Sequence, residues 1–257
     1  MAPTESPVLD PHPRHTIQPL LTDGLTQALD GPKSRRSELR FILQISWQFL
    51  KGLRILHFVG PCVTVFGSAR FREGHPYYEL TRKIGRAIYE LGFTVMTGGG
   101  PGLMEAANRG AYEAGGRSVG CNVRLPFEQQ PNAYLNTRVT IDFFFVRKVL
   151  LLKYSYAFVV MPGGWGTMDE LFETLTLVQT AVIQRFPVVL MGQDYYRPLL
   201  AFMQDMIQAG TIGEKDLQYV CLTDDVVEAQ QHIRNYVQQN YKVIRRRRPL
   251  WWLLERV

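Results

Sequence analysis

A glycine-rich turn that ends in two carboxylates is the part of this sequence best suited to chemistry. Residues 162–170 read Pro-Gly-Gly-Trp-Gly-Thr-Met-Asp-Glu and follow the apolar run 157–161. Because residues 171–184 have a helical pattern, we predict a buried strand that ends in a turn and then starts a helix. Such a turn binds phosphate: glycines let backbone amides approach an anion, and the helix dipole favours negative charge. Glu170 is then one turn inside the helix, and the predicted phosphate ligands are Gly163, Gly164, Gly166 and Thr167.

A second turn of the same kind lies upstream. The apolar residues 93–96 run into Thr-Gly-Gly-Gly-Pro-Gly at 97–102, and helical spacing follows from residue 103. Neither turn is followed by the Gly-Lys-Ser/Thr of a P-loop, and neither has the Gly-x-Gly-x-x-Gly spacing of a dinucleotide site. The sequence therefore argues against a kinase, an NTPase or a simple NAD enzyme. For either turn alone, a tight connection without a ligand is an equally good interpretation, whereas two turns and a carboxylate favour one nucleotide-sized site.

These segments resemble the Lonely Guy (LOG) family, often mislabelled as lysine decarboxylases, and specifically its longer bacterial type. The similarity extends over about residues 60–240 and is carried by the segments 98–108, 125–129, 144–148 and 162–170. The resemblance implies a Rossmann-like fold that hydrolyses the N-glycosidic bond of a nucleoside 5′-monophosphate to a free base and ribose 5-phosphate. It also implies that no metal or redox cofactor takes part.

Site residues follow from the resemblance and from the chemistry of the reaction. Cleavage builds oxocarbenium character on the ribose, which a carboxylate stabilises, and negative charge on the departing base, which a cation or a hydrogen-bond donor can assist. We therefore predict Glu170 and Arg147 as catalytic residues. Predicted substrate or phosphate contacts outside the 162–170 turn are Gly67, Ser68, Gly99, Gly100, Gly102 and Lys148. Supporting roles are expected for Arg70, Glu105, Asn108 and Glu173.

One departure from the family leaves the base open. Small plant-type members carry Met-His ahead of the Arg-Lys pair, where this chain has Phe-Phe-Phe-Val at 143–146. AMP or another purine monophosphate is therefore a better expectation than a prenylated adenine nucleotide. The alternative function is a carrier of the same fold that binds a nucleotide or the molybdenum cofactor without hydrolysing it.

The positive charge of the chain lies at its ends. The formal net charge is +6, but residues 242–257 carry +5 and residues 1–60 carry +2, which leaves −1 for the body of the protein. The body thus lacks the charge that binds a nucleic-acid backbone, and a single phosphate is the better ligand. The basic and Trp-rich tail can contact a partner subunit, an anionic membrane or nucleic acid; we favour the subunit.

The periodicity predicts one α/β domain with a doubly wound parallel sheet. Short apolar runs at 62–66, 93–96, 118–123, 139–143, 157–161 and 187–191 alternate with helical segments at 77–91, 102–114, 145–154 and 167–184. Residues 1–33 are predicted to be a mobile arm, 34–58 an amphipathic helix, 59–241 the Rossmann-like domain and 242–257 the tail. Ligands of such sheets bind at the carboxyl ends of the strands, where the glycine turns fall.

Three further expectations concern the setting of the protein. The five histidines lie outside the motifs, which disfavours a histidine triad or a zinc hydrolase. The three cysteines are far apart and form no Cys-x-x-Cys pair, so neither a disulfide framework nor a zinc site is indicated and a cytoplasmic location fits. Apolar residues of the helix 37–56 and of the tail indicate a dimer or a higher oligomer.

Overall fold

The computed structural model describes residue 31 and residues 34–125, 130–183 and 186–241. These ranges contain the whole of the predicted helix 34–58 and nearly all of the predicted Rossmann-like domain. The predicted tail lies outside the described residues, and so does the predicted arm apart from residue 31. Of the 125–129 segment, only residue 125 is described.

Seven parallel strands form one sheet with the order β4-β3-β2-β1-β5-β6-β7. Each strand is short and largely apolar, as parallel strands covered on both faces require. This confirms the predicted α/β fold with a doubly wound parallel sheet. The strands are β1 (Cys62–Phe66), β2 (Thr94–Thr97), β3 (Ser118–Val123), β4 (Thr137–Ile141), β5 (Ser155–Val160), β6 (Val188–Leu190) and β7 (Val220–Leu222).

Helices connect the strands and cover the core. The side chains of the central strands β1, β2 and β5 are buried together with the inward faces of α2 and α3. The helix α2 begins where its composition predicts a start, because Pro76 occupies its first turn and His75 Nδ1 accepts a hydrogen bond from the amide of Tyr77. The helices are α1 (Arg35–Leu56), α2 (Pro76–Glu90), α3 (Leu103–Glu113), α4 (Phe144–Tyr154), α5 (Trp165–Gln179), α6 (Gln193–Gln208) and α7 (Val226–Asn240).

Most predicted elements are present, and their ends differ by a few residues. The fourth strand is displaced most, because residues 142 and 143 already lead into α4. The helix after the glycine turn begins two residues earlier and ends five residues earlier than predicted. The periodicity predicts no strand at β7, which has three residues, and no helices at α6 and α7. β6 also has three residues, but it lies in a longer apolar run, whereas the short run at β7 carries too little periodicity to be identified from sequence.

The chain divides into two compact units, residues 1–47 and 48–257, and the division falls within α1. The domain boundary predicted from the sequence, at residue 59, stays a prediction. Within the second unit, the last turns of α1 bury Gly52 and Leu56, Gln48 hydrogen-bonds Asp142, and Lys51 Nζ donates to the carbonyl of Thr140 at 2.8 Å. These contacts fix the end of the helix on the sheet edge formed by β4. None of the described helices combines the length and the apolarity needed to cross a bilayer.

Candidate active site

The site lies where the strand order reverses. Strands β1 and β5 are neighbours, and the chain leaves them toward opposite halves of the sheet, which makes their carboxyl ends a topological switch point. Two backbone hydrogen bonds join the turns that follow these strands: the amide of Ser68 donates to Pro162 O at 3.0 Å, and the amide of Met161 donates to Phe66 O at 2.8 Å. A crevice opens above them.

This cleft has a volume of about 610 Å³, which lies within the usual range for sites that bind small molecules. The predicted site residues that line it are Gly67, Ser68, Arg70, Arg147, Gly163, Gly164, Gly166 and Thr167. The lining residues outside the predicted set are Phe66, Ala69, Phe71, Gly98, Met104, Leu151, Trp165 and Tyr195. The turns after β1 and β5 therefore contribute most of the predicted ligands, and the turn after β2 contributes one glycine.

The glycine turn before α5 lines the cleft and contains the first amides of the helix. The amides of Thr167 and Met168 both donate to Gly164 O at 3.0 Å, which closes the first turn of the helix. The amides of Trp165 and Gly166 precede the first intrahelical hydrogen bond, so no helix carbonyl is available to them. At this end of α5 the helix dipole is positive, and an anion in the cleft meets both donors.

The first glycine of this turn has no room for a side chain. A Cβ atom at Gly163 would overlap the hydroxyl and the Cβ of Thr167, whereas one at Gly164 would meet nothing within 4 Å. The hydroxyl of Tyr195, from α6, donates to Gly163 O at 2.7 Å and holds the turn from the opposite side. The conformation of the turn is thus fixed by its own helix and by α6.

The turn after β2 is used differently. Among the predicted phosphate ligands, Gly99 and Gly100 do not line the cleft, and their carbonyls accept from the amide and the Nδ2 of Asn132, both at 3.0 Å. Gly102 has φ of +70°, and a Cβ there would lie 2.6 Å from Ser68 O. The absence of a side chain at Gly102 therefore lets α3 approach the turn after β1 closely. There the amide of Leu103 donates to Ser68 O at 2.9 Å.

Two expected supporting residues lie away from the cleft. The amide of Asn108 is completely buried and joins β2 to β3, because its Oδ1 accepts from Thr97 Oγ1 at 2.6 Å and its Nδ2 donates to Ser118 Oγ at 2.7 Å. Glu105 accepts a hydrogen bond of 3.0 Å from the hydroxyl of Tyr78. Both side chains hold α3 in place, and neither lines the cleft.

The two predicted catalytic residues are neighbours. Arg147 reaches the cleft wall from α4, and its guanidinium carbon lies 5.1 Å from the ring centre of Phe144. Glu170 lies behind it, almost completely buried, with Oε1 at 3.7 Å from Arg147 Nη2. This separation is that of an ion pair without a hydrogen bond. In the described part of the chain, Arg147 Nε and Glu170 Oε1 have no hydrogen-bond partner.

Burial sets the protonation of Glu170. Removal from water raises the pKa of its carboxyl to about 7, although the charges of Arg147 and Lys148 act to lower this pKa and those of Glu173 and Asp169 add to the rise. A carboxyl near the cleft therefore changes its charge close to neutral pH. Groups with such shifts are concentrated at functional sites.

Lys148 and Glu173 pair with each other beside this site. Lys148 Nζ lies 2.7 Å from Glu173 Oε2 and 2.9 Å from Asp169 Oδ1. Neither Lys148 nor Glu173 lines the cleft. Lys148 thus forms ion pairs between α4 and α5, and its contact with a substrate stays a prediction.

The residues that sequence reasoning missed are mainly aromatic. Trp165 is 92 % exposed at the rim, and Tyr195 reaches the same cleft from α6. Trp165 stands inside the glycine motif, so its position was itself a signal. Tyr195 follows β6 and no local pattern marks it. The described residues hold no group of three or more His, Cys, Asp or Glu side chains able to bind a metal ion.

Comparisons with known proteins identify relatives that cover half of the chain or more. A family profile described as "Possible lysine decarboxylase" matches residues 104–233, which is half of the chain. The cytokinin riboside 5′-monophosphate phosphoribohydrolase of Rhodococcoides fascians is 32% identical over 177 residues, covering 67% of this chain and 89% of that protein. The enzyme of the same name, LOG, from Oryza sativa subsp. japonica is 29% identical over 154 residues, covering 58% of this chain and 62% of the rice protein.

A solved structure supports the fold independently. The molybdenum cofactor binding protein of Rippkaea orientalis superposes with a TM-score of 0.54 at 18% identity, covering 70% of this chain and 99% of that one. Identity this low supports the fold and does not assign a ligand. The family profile covers the glycine turn before α5, the Arg147–Glu170 pair and the strands from β3 to β7. Together with the bacterial relative, which is 32% identical over 67% of the chain, it shows that the chain belongs to the LOG family.

Proposed function

We propose that this protein hydrolyses the N-glycosidic bond of a purine nucleoside 5′-monophosphate and releases the free base and ribose 5-phosphate. The observation that carries the proposal is the pairing of Arg147 with a buried Glu170 beside a helix N-terminus whose first amides are unpaired. The names of the relatives from R. fascians and rice support the same reaction. AMP and cytokinin riboside 5′-monophosphates are the candidate substrates.

We assign the phosphate of the substrate to the N-terminus of α5. The amides of Trp165 and Gly166 and the hydroxyl of Thr167 supply donors there, and Ser68 supplies another hydroxyl from the turn after β1. Arg70 adds a positive charge on the same side of the cleft. A nucleoside without a phosphate lacks the group that these donors bind, so it should be held poorly.

The base belongs among the aromatic side chains. Phe66, Phe71, Trp165 and Tyr195 all contribute to the cleft, and purine rings stack on aromatic faces. Trp165 has room to rotate over a ligand because its side chain is almost fully exposed. These contacts suit a planar base, but they do not by themselves select adenine over a prenylated adenine.

We assign the cleavage step to Arg147 and Glu170. Water adds to C1′ of the ribose while the C1′–N bond breaks, and the base leaves with the electron pair and takes up a proton. In its ionised form, Glu170 stabilises the positive charge that develops on the ribose and orients the water. Arg147 faces the cleft and stabilises the negative charge of the departing base or of the phosphate. The 3.7 Å separation leaves both groups with unused hydrogen-bonding capacity for a substrate.

Incubation of the purified protein with a panel of nucleoside monophosphates, with chromatography for free base, tests this proposal. We expect turnover of AMP or a cytokinin riboside monophosphate and none of the matching nucleoside. The Glu170→Gln and Arg147→Ala variants serve as controls and should be severely impaired. Equal turnover of AMP and adenosine would contradict the phosphate assignment.

A carrier would give a different result in the same assay. It would bind the nucleotide with measurable affinity and release no base, whether or not Arg147 and Glu170 are present. The reaction should also survive EDTA, because the polar groups of the cleft are amides, hydroxyls and guanidinium groups rather than metal ligands.

We further propose that the protein acts in the cytoplasm as a dimer or a higher oligomer. The free thiols of Cys121 and Cys221 support a reducing compartment. The support for assembly is the apolar face of α1, whose more than half-exposed side chains are Leu39, Ile42, Leu43, Trp47 and Leu50. Removal of residues 243–257 tests whether the tail contributes: weaker self-association would assign it to assembly, and loss of salt-sensitive binding to vesicles or DNA would assign it elsewhere.

A further inference from the structure

One lysine neutralises two of the three carboxylates at the start of α5. Lys148 Nζ lies 2.9 Å from Asp169 and 2.7 Å from Glu173, and these two acids flank Glu170 on the same helix. The side chain of Lys148 is only 15 % exposed, whereas those of Asp169 and Glu173 are 58 % and 40 % exposed. The lysine is therefore held between α4 and α5 rather than extended into water.

This position gives Lys148 a relation to Glu170 that differs from that of Arg147. Arg147 lines the cleft and faces Glu170 directly, so a substrate that draws the guanidinium away would weaken that pair. Lys148 does not line the cleft, and neither do its partners Asp169 and Glu173. Its charge is thus a permanent part of the surroundings of Glu170.

The charged groups around Glu170 come from two helices, and a thiol on β3 faces the same pair. Arg147 and Lys148 on α4 favour the ionised carboxylate, and Asp169 and Glu173 on its own helix oppose it. Burial raises the pKa of the Cys121 thiol on β3 to about 12, so this thiol stays neutral near pH 7. Without Lys148, Glu170 would be buried beside two unneutralised carboxylates.

We propose that Lys148 is a positioning residue of the hydrolase: it braces α5 against α4 through Asp169 and Glu173 and thereby keeps Glu170 in place and ionised, without touching the substrate. The kinetic part of this inference rests on the proposed function. Its electrostatic part concerns the free protein and can be measured without any substrate.

The experiment compares Lys148→Met with Lys148→Arg, which keeps the charge, and with Lys153→Met on the exposed last turn of α4. Two quantities are measured for each protein. The first is the pH profile of kcat/KM with the nucleotide that the wild type hydrolyses. The second is the pKa of the Glu170 carboxyl in the free protein, from ¹³C NMR with glutamate labelling and Glu170→Gln for assignment.

Loss of the charge should raise the pKa of Glu170 by about one unit and move the acid limb of the profile by the same amount. At pH 7 this lowers kcat/KM about fivefold, and the loss should shrink above pH 9, where the carboxyl is ionised in both proteins. Lys148→Arg and Lys153→Met should keep the wild-type limb. A higher KM with an unmoved limb would overturn the inference and assign Lys148 to direct substrate contact.

A second substitution tests the same inference if Lys148→Met fails to fold. Glu173→Gln removes one negative charge from the same cluster, so it should lower the pKa of Glu170. Combining Glu173→Gln with Lys148→Met should return this pKa toward the wild-type value. An NMR titration of Glu170 that is unchanged in all these variants would refute the inference. The expected NMR shifts in a protein that hydrolyses no nucleotide would instead reject the proposed function and leave the ion-pair role of Lys148 supported.

Discussion

Glu170 Oε1 lies 3.7 Å from Nη2 of Arg147, and no hydrogen bond joins the buried carboxylate to the partly exposed arginine. Each keeps a buried polar atom, Nε of Arg147 and Oε1 of Glu170, that has no partner within the described residues. A pair that served stability alone would be expected to close this gap and satisfy both atoms. The open pair joins an arginine on the wall of the cleft to a buried carboxylate that does not line it. A catalytic role explains this arrangement better, and substitution of either residue can test it.

The activity should depend on the ionisation of Glu170. Because burial raises the pKa of this carboxyl to about 7, kcat/KM should rise with pH through the neutral range and fall about tenfold per unit well below it. The profile is measured at substrate concentrations far below KM with buffers of constant ionic strength. A limb centred near pH 6 that is the same in Lys148→Met would instead reflect ionisation of the substrate phosphate.

Glu170→Gln should abolish most of the activity and keep the fold. The amide retains the size of the side chain but cannot carry the charge that stabilises the ribose, so the barrier should rise by roughly 3 to 5 kcal/mol. Single-turnover kinetics with excess enzyme measure the effect, and circular dichroism checks the fold. Turnover close to that of the wild type would show that Glu170 is only a helix residue.

The same variant should make the protein more stable at high pH. The folded protein binds the proton of Glu170 more tightly than the unfolded chain does, so stability is lost as pH rises from about 4.5 to about 7. We expect Glu170→Gln to increase the free energy of unfolding by about 1 to 3 kcal/mol at pH 8, with a difference that vanishes below pH 4.5. Urea titrations at several pH values measure it, with the exposed Glu214→Gln as the matched control. A pH-independent difference would contradict a raised pKa.

The two adjacent glycines of the turn before α5, Gly163 and Gly164, should respond differently to alanine. At Gly163 the added methyl overlaps Thr167, so Gly163→Ala should destabilise the protein by about 1 to 3 kcal/mol and distort the turn. At Gly164 the methyl meets nothing within 4 Å, so the variant should keep the stability of the wild type. Thermal unfolding separates these outcomes. A rise in KM confined to Gly164→Ala would indicate that the phosphate approaches its backbone, and equal stability of both variants would contradict the geometry of the turn.

The exposed face of α1 should mediate assembly. Leu43→Glu places a charge among the exposed apolar side chains of this helix and should lower the sedimenting mass at micromolar concentration. Gln44→Glu adds the same charge to the next position and serves as the control. A wild-type protein that sediments as a monomer would refute the assembly proposal, and an unchanged mass in Leu43→Glu would exclude this face.

The sequence by itself determined the elements and the chemistry of single turns. The alternation of apolar runs and helical segments predicted the α/β class, and β3 was predicted residue for residue. The motif at 162–170 predicted a helix that begins at a glycine turn, which α5 does. Periodicity, glycine and capping residues act within a few positions, so a short window of sequence contains the physical cause.

The tertiary structure decided which of these turns share a site. Parallel pairing places β1 beside β5, so Ser68 and the 162–167 turn meet in the cleft, while most of the turn after β2 is used to hold Asn132 and α3. Tyr195 reaches the cleft from α6, which follows β6, the neighbour of β5 in the sheet. Whether a charged residue lines the cleft or pairs with other side chains, as with Arg147 and Lys148 at adjacent positions, depends on how two helices pack. That packing is set by contacts between residues far apart in the chain, which no local pattern records.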